Sequence, residues 1–212
     1  MIHPACRPSP SRQLDPVEQD AVREICSIGV SQAATALSRM ISDTVELKIP
    51  SVHLLNLAAV PDFIGGPEHP SAGILLGMNG DARGEIMLIF PLETAFSLTA
   101  LLTGAPSPDH CLDDSGRSAL NELGNILASS YLNGLSALLG LTILPTVPSL
   151  GIDMAGALLD PILSRQCSSC DTSLVVTTEF WAERHDVSGK FYIMPDPGSL
   201  DVILAAAGLR HG

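Results

Sequence analysis

Two stretches of this chain, 98 residues apart, read as copies of one another, and that repetition limits the possible folds more than any other feature. Residues 20–50 read DAVREICSIGVSQAATALSRMISDTVELKIP, and residues 118–148 read SALNELGNILASSYLNGLSALLGLTILPTVP. Glu24 matches Glu122, Leu37 matches Leu135 and Pro50 matches Pro148, each at an offset of 98. Further on, IFPLETAFSLTALLTG (89–104) matches IMPDPGSLDVILAAAG (193–208) at an offset of 104, so the second copy holds small insertions. The chain reads as two repeats of one unit, covering residues 15–108 and 112–210.

Each copy opens on a helical pattern. In the second, Leu120, Leu123, Leu127, Tyr131, Leu135 and Leu138 step by three and four residues, an apolar stripe along one helix face. Asp113 or Asp114 is placed to cap its start and Gly140 to end it. The first copy repeats the stripe less cleanly, with Val22, Ile25, Ile28 or Gly29, Ala33, Ala36 or Leu37, and Met40. An extended segment follows each helix, VELKIPSVHLL (45–55) and LTILPTVPSL (141–150). A variable connection comes next, read in the second copy as a short helix over Met154–Gln166. Two strand-like runs and a short helix after Pro91 or Pro195 close each unit. Three strands cannot cover both faces of a sheet by themselves, so the pattern predicts an α+β fold in which the halves share one sheet. We expect six strands, largely antiparallel, under two long helices related by a pseudo-twofold, as a single domain over residues 13–212. Residues 1–12, rich in Pro and Ser, read as a disordered lead-in.

Composition removes several functions. With 212 residues and 46% hydrophobic content the chain carries enough apolar mass for a full core. A formal charge of −12 leaves no basic footprint for nucleic acid or an anionic membrane surface. The most apolar stretch, 132–163, is broken by glycines, prolines, Asp153 and Asp160, so no spanning helix is expected. The start of the chain shows no secretory h-region. Five scattered cysteines, Cys6, Cys26, Cys111, Cys167 and Cys170, do not read as a disulfide framework, and the cytoplasm is the expected compartment. Internal pseudo-symmetry removes one common need for a homodimer, so a monomer is expected.

The chemistry-bearing signal lies on the polar side of the second helical pattern. Ser118, Glu122 and Asn125 fall at i, i+4 and i+7, within a stripe about 60° wide on the side opposite Leu120, Leu123 and Leu127. Any solvated helix could show such a line, but Asn is a poor mid-helix residue because its amide competes for backbone hydrogen bonds. The same line in the first copy is Asp20, Glu24 and Ser27. Pro50 follows Ser27, and Pro148 follows Asn125, by 23 positions. A proline fixes φ and lacks a donor, so both read as constrained edges or entrances of a strand near each polar line.

Ser118-x3-Glu122-x2-Asn125-x22-Pro148 resembles the signature of the CheC/CheX/FliY phosphatases of bacterial and archaeal chemotaxis. The strings QAATALS (32–38), GNILASSYLNGLSALLGL (124–141) and IDMAGALLD (152–160) resemble the CheC branch of that family. The resemblance implies an enzyme that hydrolyses the aspartyl phosphate of a CheY-like response regulator. It implies that Asn125 orients the attacking water and that Glu122 pairs with the regulator's active-site lysine. A carboxamide suits that task because it donates and accepts hydrogen bonds without a charge that repels phosphoryl oxygens. Ser118 is then a contact and Pro148 a structural element. No cofactor of its own is implied, since the regulator brings the Mg²⁺. In the first copy Asp20, Glu24 and Pro50 are in place, but Ser27 stands where the family has Asn. A hydroxyl is shorter, so this copy either acts weakly or docks without hydrolysing, and one working centre is expected. The resemblance also implies an adaptor role, binding of the receptor deamidase CheD, with a contact around 152–160. Asp153, at the start of that segment, is placed as either a helix cap or an interface charge.

The remaining candidates read as structural. Cys167-Ser-Ser-Cys170 has half-site spacing for redox or zinc chemistry, but no second pair completes it and no metal site is expected. Cys26 reads as a small buried hydrophobe, the six histidines share no metal spacing, and Gly65-Gly66-Pro67 reads as a loop.

Overall fold

The computed structural model describes residues 14–56, 59–63, 68–105, 112–166 and 172–209. The lead-in, the Gly65–Pro67 loop and the Cys167/Cys170 pair lie outside the described residues. The two long helices, α1 (Pro16–Ile41) and α4 (Asp114–Leu139), start and stop by the same means. Asp15 accepts the backbone N–H of Glu18 at 2.8 Å in a capping box, with Pro16 at the first helical position. Asp113, rather than Asp114, caps α4 by accepting the N–H of Gly116 at 2.8 Å. Each helix ends on a left-handed residue, Ser42 at φ 54° and Gly140 at φ 66°. The hydroxyl of Ser38 then accepts the N–H of Val45 at 3.0 Å, and that of Ser136 accepts the N–H of Ile143 at 3.3 Å. These last pairs, like the caps, stand 98 residues apart.

The connection after α1 enters β1 (Glu46–Leu47) and β2 (Ser51–Asn56), then a single turn, α2 (Val60–Phe63). The hairpin β3 (Pro70–Gly80) and β4 (Gly84–Pro91) leads into α3 (Leu92–Thr103). After α4 come β5 (Ile143–Pro145), β6 (Ser149–Met154), α5 (Ala155–Gln166), β7 (Thr172–Ala182), β8 (Val187–Pro195) and α6 (Pro197–Ala206). All strands join one antiparallel sheet in the order β1-β7-β8-β4-β3-β5, with β2 also on β7 and β6 also on β3. The central pair, β4 and β8, comes one from each half, and each half lends its first strands to the other half's hairpin.

Among the described residues the expected six strands are corrected to eight, in six positions. Both extended segments break at a bulge. Leu47 lies opposite Phe180 and Ser51 opposite Thr177, so one strand advances by one residue more than its partner. Pro145 opposite Met78 and Ser149 opposite Leu75 repeat that excess. Pro50 and Pro148 sit in these breaks, where a residue without an N–H costs the ladder nothing.

Alternation along the strands sorts two apolar layers. Ile86, Leu88 and Phe90 of β4 face the main core with α1, α3, α4 and α6, while Met87 and Ile89 face a smaller cluster with Val60, Leu159 and Ile162 of α2 and α5. The α4 stripe is buried at Leu120, Leu123, Leu127, Tyr131 and Leu135 as expected, but Leu138 is half-exposed and Leu139 is buried instead. On α1 the buried choices are Gly29 and Leu37 rather than Ile28 and Ala36.

Helices α1 and α4 touch at backbone distance. A Cβ on Gly29 would lie 2.5 Å from Leu135 Cδ1 and from the Tyr131 ring, and one on Gly134 would lie 3.2 Å from Gly29 Cα. Tyr131 is fully buried and cannot swing away. Gly29→Ala is therefore expected to lower the unfolding free energy by about 1–2 kcal/mol, overpacking outweighing alanine's better helix propensity. A lower urea midpoint at unchanged slope would show it. Ser42→Gly should raise stability by about 0.5–1 kcal/mol by relieving the left-handed conformation that glycine already supplies at Gly140. An unchanged or lower midpoint would contradict this.

Candidate functional site

The outward side of α4 carries the polar line. Ser118 and Glu122 are exposed and Asn125 is half-buried. Among the described residues none of the three makes a hydrogen bond or ion pair within the chain. Their side chains are free to meet a partner. On α1 two of the three matching groups are engaged locally. Asp20 accepts from the Arg23 guanidinium at 2.5 Å, and the Ser27 hydroxyl donates to the Arg23 carbonyl at 2.8 Å. Serine in a helix can satisfy its hydroxyl on the carbonyl four residues back. Glu24 is exposed and Ser27 half-buried.

The prolines lie level with the polar lines, and the chain geometry explains the 23-residue spacing. Gly140 reverses the chain, so β5 and β6 run back along α4, which both of them contact. The Ser136–Ile143 hydrogen bond pins the start of that return. Five strand residues, from Ile143 to Pro148, cover about 16–17 Å, which is about eleven residues of helix. Eleven residues back from Ser136 is Asn125. The Ser38–Val45 bond sets Pro50 level with Ser27 by the same count. Pro148 is half-buried and Pro50 buried in their bulges, which are further held by Thr146 N–H donating to the Gly77 carbonyl at 2.8 Å and Lys48 N–H donating to the Glu179 carbonyl at 2.9 Å.

One polar group at this site was not singled out from the sequence. Asn121, one turn before Asn125, is half-buried, and its Oδ1 is buried without a hydrogen-bond partner. The signal was present, since the argument that marks Asn125 as a poor mid-helix residue applies equally to Asn121.

Other candidates fall elsewhere. Cys26 is buried, its sulfur accepts from the Tyr131 hydroxyl at 3.4 Å, and burial pushes its thiol up to about 11. It is a packing residue and a poor nucleophile. Asp153 lies in β6 rather than on a helix. It is exposed and accepts the N–H of Met154, ahead of α5, so it does not cap the helix's first turn. Among the described residues no group of three or more His, Cys, Asp or Glu side chains is arranged to hold a metal ion, and no helix is long and apolar enough to cross a membrane. A cleft of about 670 Å³ opens between Trp181, Lys190, Ile89 and the Lys48–Glu179 ion pair, and none of the polar-line residues borders it. None of the polar-line residues lines the other described cavities either.

The comparisons with known proteins bear on the same segment. Residues 116–152, which contain Ser118, Glu122, Asn125 and Pro148, match the model of the CheC-like family. The CheY-P phosphatase CheC of Bacillus subtilis is 32% identical over 90% of this chain and 94% of its own length. Among solved structures, Thermotoga maritima FliY superposes with a TM-score of 0.75 at 21% identity, covering 93% of this chain and 99% of that one. CheX in a complex with CheY, BeF3 and Mg²⁺ from Borrelia burgdorferi superposes at 0.55 and 18% identity, covering 79% of this chain and 96% of that one. The two structural likenesses speak to the fold alone.

Proposed function

Because this chain belongs to the CheC-like family, we propose that it is a phosphatase of a CheY-like response regulator, acting in the cytoplasm as a monomer on the regulator's aspartyl phosphate. The observation that carries this reading is the pair Glu122 and Asn125, unpartnered among the described residues on the outer face of α4, with Asn125 level with Pro148. An acyl phosphate is already reactive, so the enzyme need only hold a water in line with the phosphorus–oxygen bond that breaks. The half-buried Asn125 carboxamide accepts from that water and donates toward the phosphoryl oxygens. Glu122, exposed one turn earlier, is placed to meet a lysine of the docked regulator and fix its register. The regulator supplies its own Mg²⁺, and this chain contributes no metal ligand. Ser118 extends the contact, and Pro148 sets the strand against it. The α1 line keeps Asp20, Glu24 and Pro50, but the Ser27 hydroxyl is turned back on its own helix, so hydrolysis is assigned to α4.

The decay of a phosphorylated CheY-like regulator tests this. Asn125→Ala should remove at least tenfold of the acceleration, about 1.4 kcal/mol of barrier, without changing the melting temperature. Ser27→Asn should add acceleration if the α1 line still docks. Wild-type acceleration that survives Asn125→Ala would sink the assignment.

A second role rests on a separate observation. Asp153 is exposed and pairs across to Ser71 on the sheet face turned away from α4, which leaves a surface for the CheD deamidase apart from the polar line. Asp153→Lys should weaken a complex with CheD at least tenfold and leave regulator dephosphorylation within twofold. An unaffected complex would remove Asp153 from that surface.

A further inference from the structure

The bulges do more than seat prolines. Val147 is 87% exposed and Ile49, 98 residues earlier, is 78% exposed, the highest values among the described large apolar side chains. A lone exposed aliphatic needs no explanation. Two β-branched ones at the same position of two bulges, each next to the proline beside a polar line, do. A bulge leaves two residues opposite one, here Ile49 with Pro50 and Val147 with Pro148, and the aliphatic member of each pair is the exposed one.

Register carries the pattern further. Leu150, Ile152 and Met154 of β6 lie opposite Ile74, Ala72 and Pro70 of β3, and Ile74 and Ala72 face the main core under the long helices. Ile152 and Met154 therefore rise on the α4 side of the sheet, where no further strand or helix covers them, and they are 39% and 46% exposed. By the same rise per residue, β6 passes the level of Ser118 near Gly151, and Ile152 and Met154 lie beyond it, near the level at which α4 starts. Val147 thus stands near the level of Asn125, and Ile152 and Met154 extend the apolar edge past the Ser118 end of the line. Asp153 alternates to the other face.

We propose that Val147, Ile152 and Met154 form the apolar half of the surface on which the phosphorylated regulator docks, beside the polar half made by Ser118, Glu122 and Asn125. This rests on the reading of α4 as the dephosphorylation site. The occupant follows from continuity, because a regulator seated with its phosphoryl group at Asn125 also covers Val147 on the adjoining strand, and an interface of about 800 Å² a side reaches across the roughly 23 Å from there to Met154. Charged contacts steer an encounter, while buried aliphatic contacts hold it, so the apolar edge governs affinity and the carboxamide governs the chemical step.

The test is the rate of regulator dephosphorylation by the whole chain across regulator concentrations, which separates KM from kcat. Val147→Asp and Met154→Asp should each raise KM about tenfold and leave kcat within twofold, with an unchanged melting curve; Val147→Ser replaces Val147→Asp if the latter melts early. Ile49→Asp makes the same change beside the α1 line and should leave both constants within twofold. A wild-type KM in both Val147 and Met154 variants overturns the proposal. So does a fall in kcat alone, or an equal effect of Ile49→Asp, which would mark a general charge effect. A shift in oligomeric state with KM unchanged would assign the edge to self-association and overturn it as well. Loss of acceleration in wild type sinks the reading of α4 itself, an outcome distinct from failure of the Val147 and Met154 arms.

Discussion

The close crossing of α1 and α4 at Gly29 and Gly134 is the contact on which the rest of the arrangement depends. With no Cβ at either position the helices meet backbone to backbone, and Tyr131 and Leu135 fill the space that a side chain on Gly29 would take. Two 26-residue helices held that tightly can cover a broad sheet as one layer. Each spends its apolar side on its neighbour and on the strands below. What remains outward on each is a narrow polar line. The candidate site is thus a by-product of how the core is closed: it lies on the face that the helices do not bury.

The edge strands turn that line into a surface with two characters. An unbroken edge invites another chain to pair along it. Here Pro50 and Pro148 remove a donor at the break, and the bulges bend the ladder away from regular pairing. The device that blunts the edge also aims Ile49 and Val147 at solvent beside the polar lines. Protection from indiscriminate pairing and presentation of an apolar contact come from one extra residue. That economy explains why the proline is found at a fixed distance from the Asn or Ser of each helix: pairing geometry sets the spacing.

Much of this was legible in the sequence because it is periodic. The α4 stripe from Leu120 to Leu135 steps as a helix must, and Gly140 marks its end, so the element and its buried face follow directly. The α1 stripe was blurred because the crossing demands Gly29 and Ala33 where a plain amphipathic helix would carry larger residues. Its buried positions are small for a tertiary reason that hydropathy does not record. The bulges were invisible for a different reason. One inserted residue shifts the alternation by a single step, within the noise of a short segment, so each extended run read as one strand. Leu138 and Leu139 are equally apolar neighbours, so hydropathy alone does not tell which of them the core takes. Asp153 reads as a helix cap or an interface charge because a helical run follows it, while the pairing with β3 that makes it a strand residue is a long-range fact. The site residues themselves were legible as a line on one face. Their relation to Pro148 was legible as a spacing but not as a distance until the strand was seen to return along the helix.

The two lines differ in chemistry and agree in position. Caps at Asp15 and Asp113, the Ser38 and Ser136 hydroxyls, and the bulges at Ile49 and Val147 recur at one offset, so the backbone that would hold a partner is built twice. What changes is one side chain. Asparagine cannot fold its carboxamide onto the preceding turn as compactly as serine folds its hydroxyl, so Asn125 is left pointing outward while Ser27 bonds to the Arg23 carbonyl. Asp20 is likewise drawn to Arg23, whereas Ser118 on α4 has Asn121 three residues on and no charge to answer. The α1 line is therefore quieter in two ways: its short polar groups are satisfied by their own helix, and it lacks a group that both donates and accepts at a distance. A surface can keep its shape while losing its reach. That is the difference expected between a site that docks and a site that also orients water.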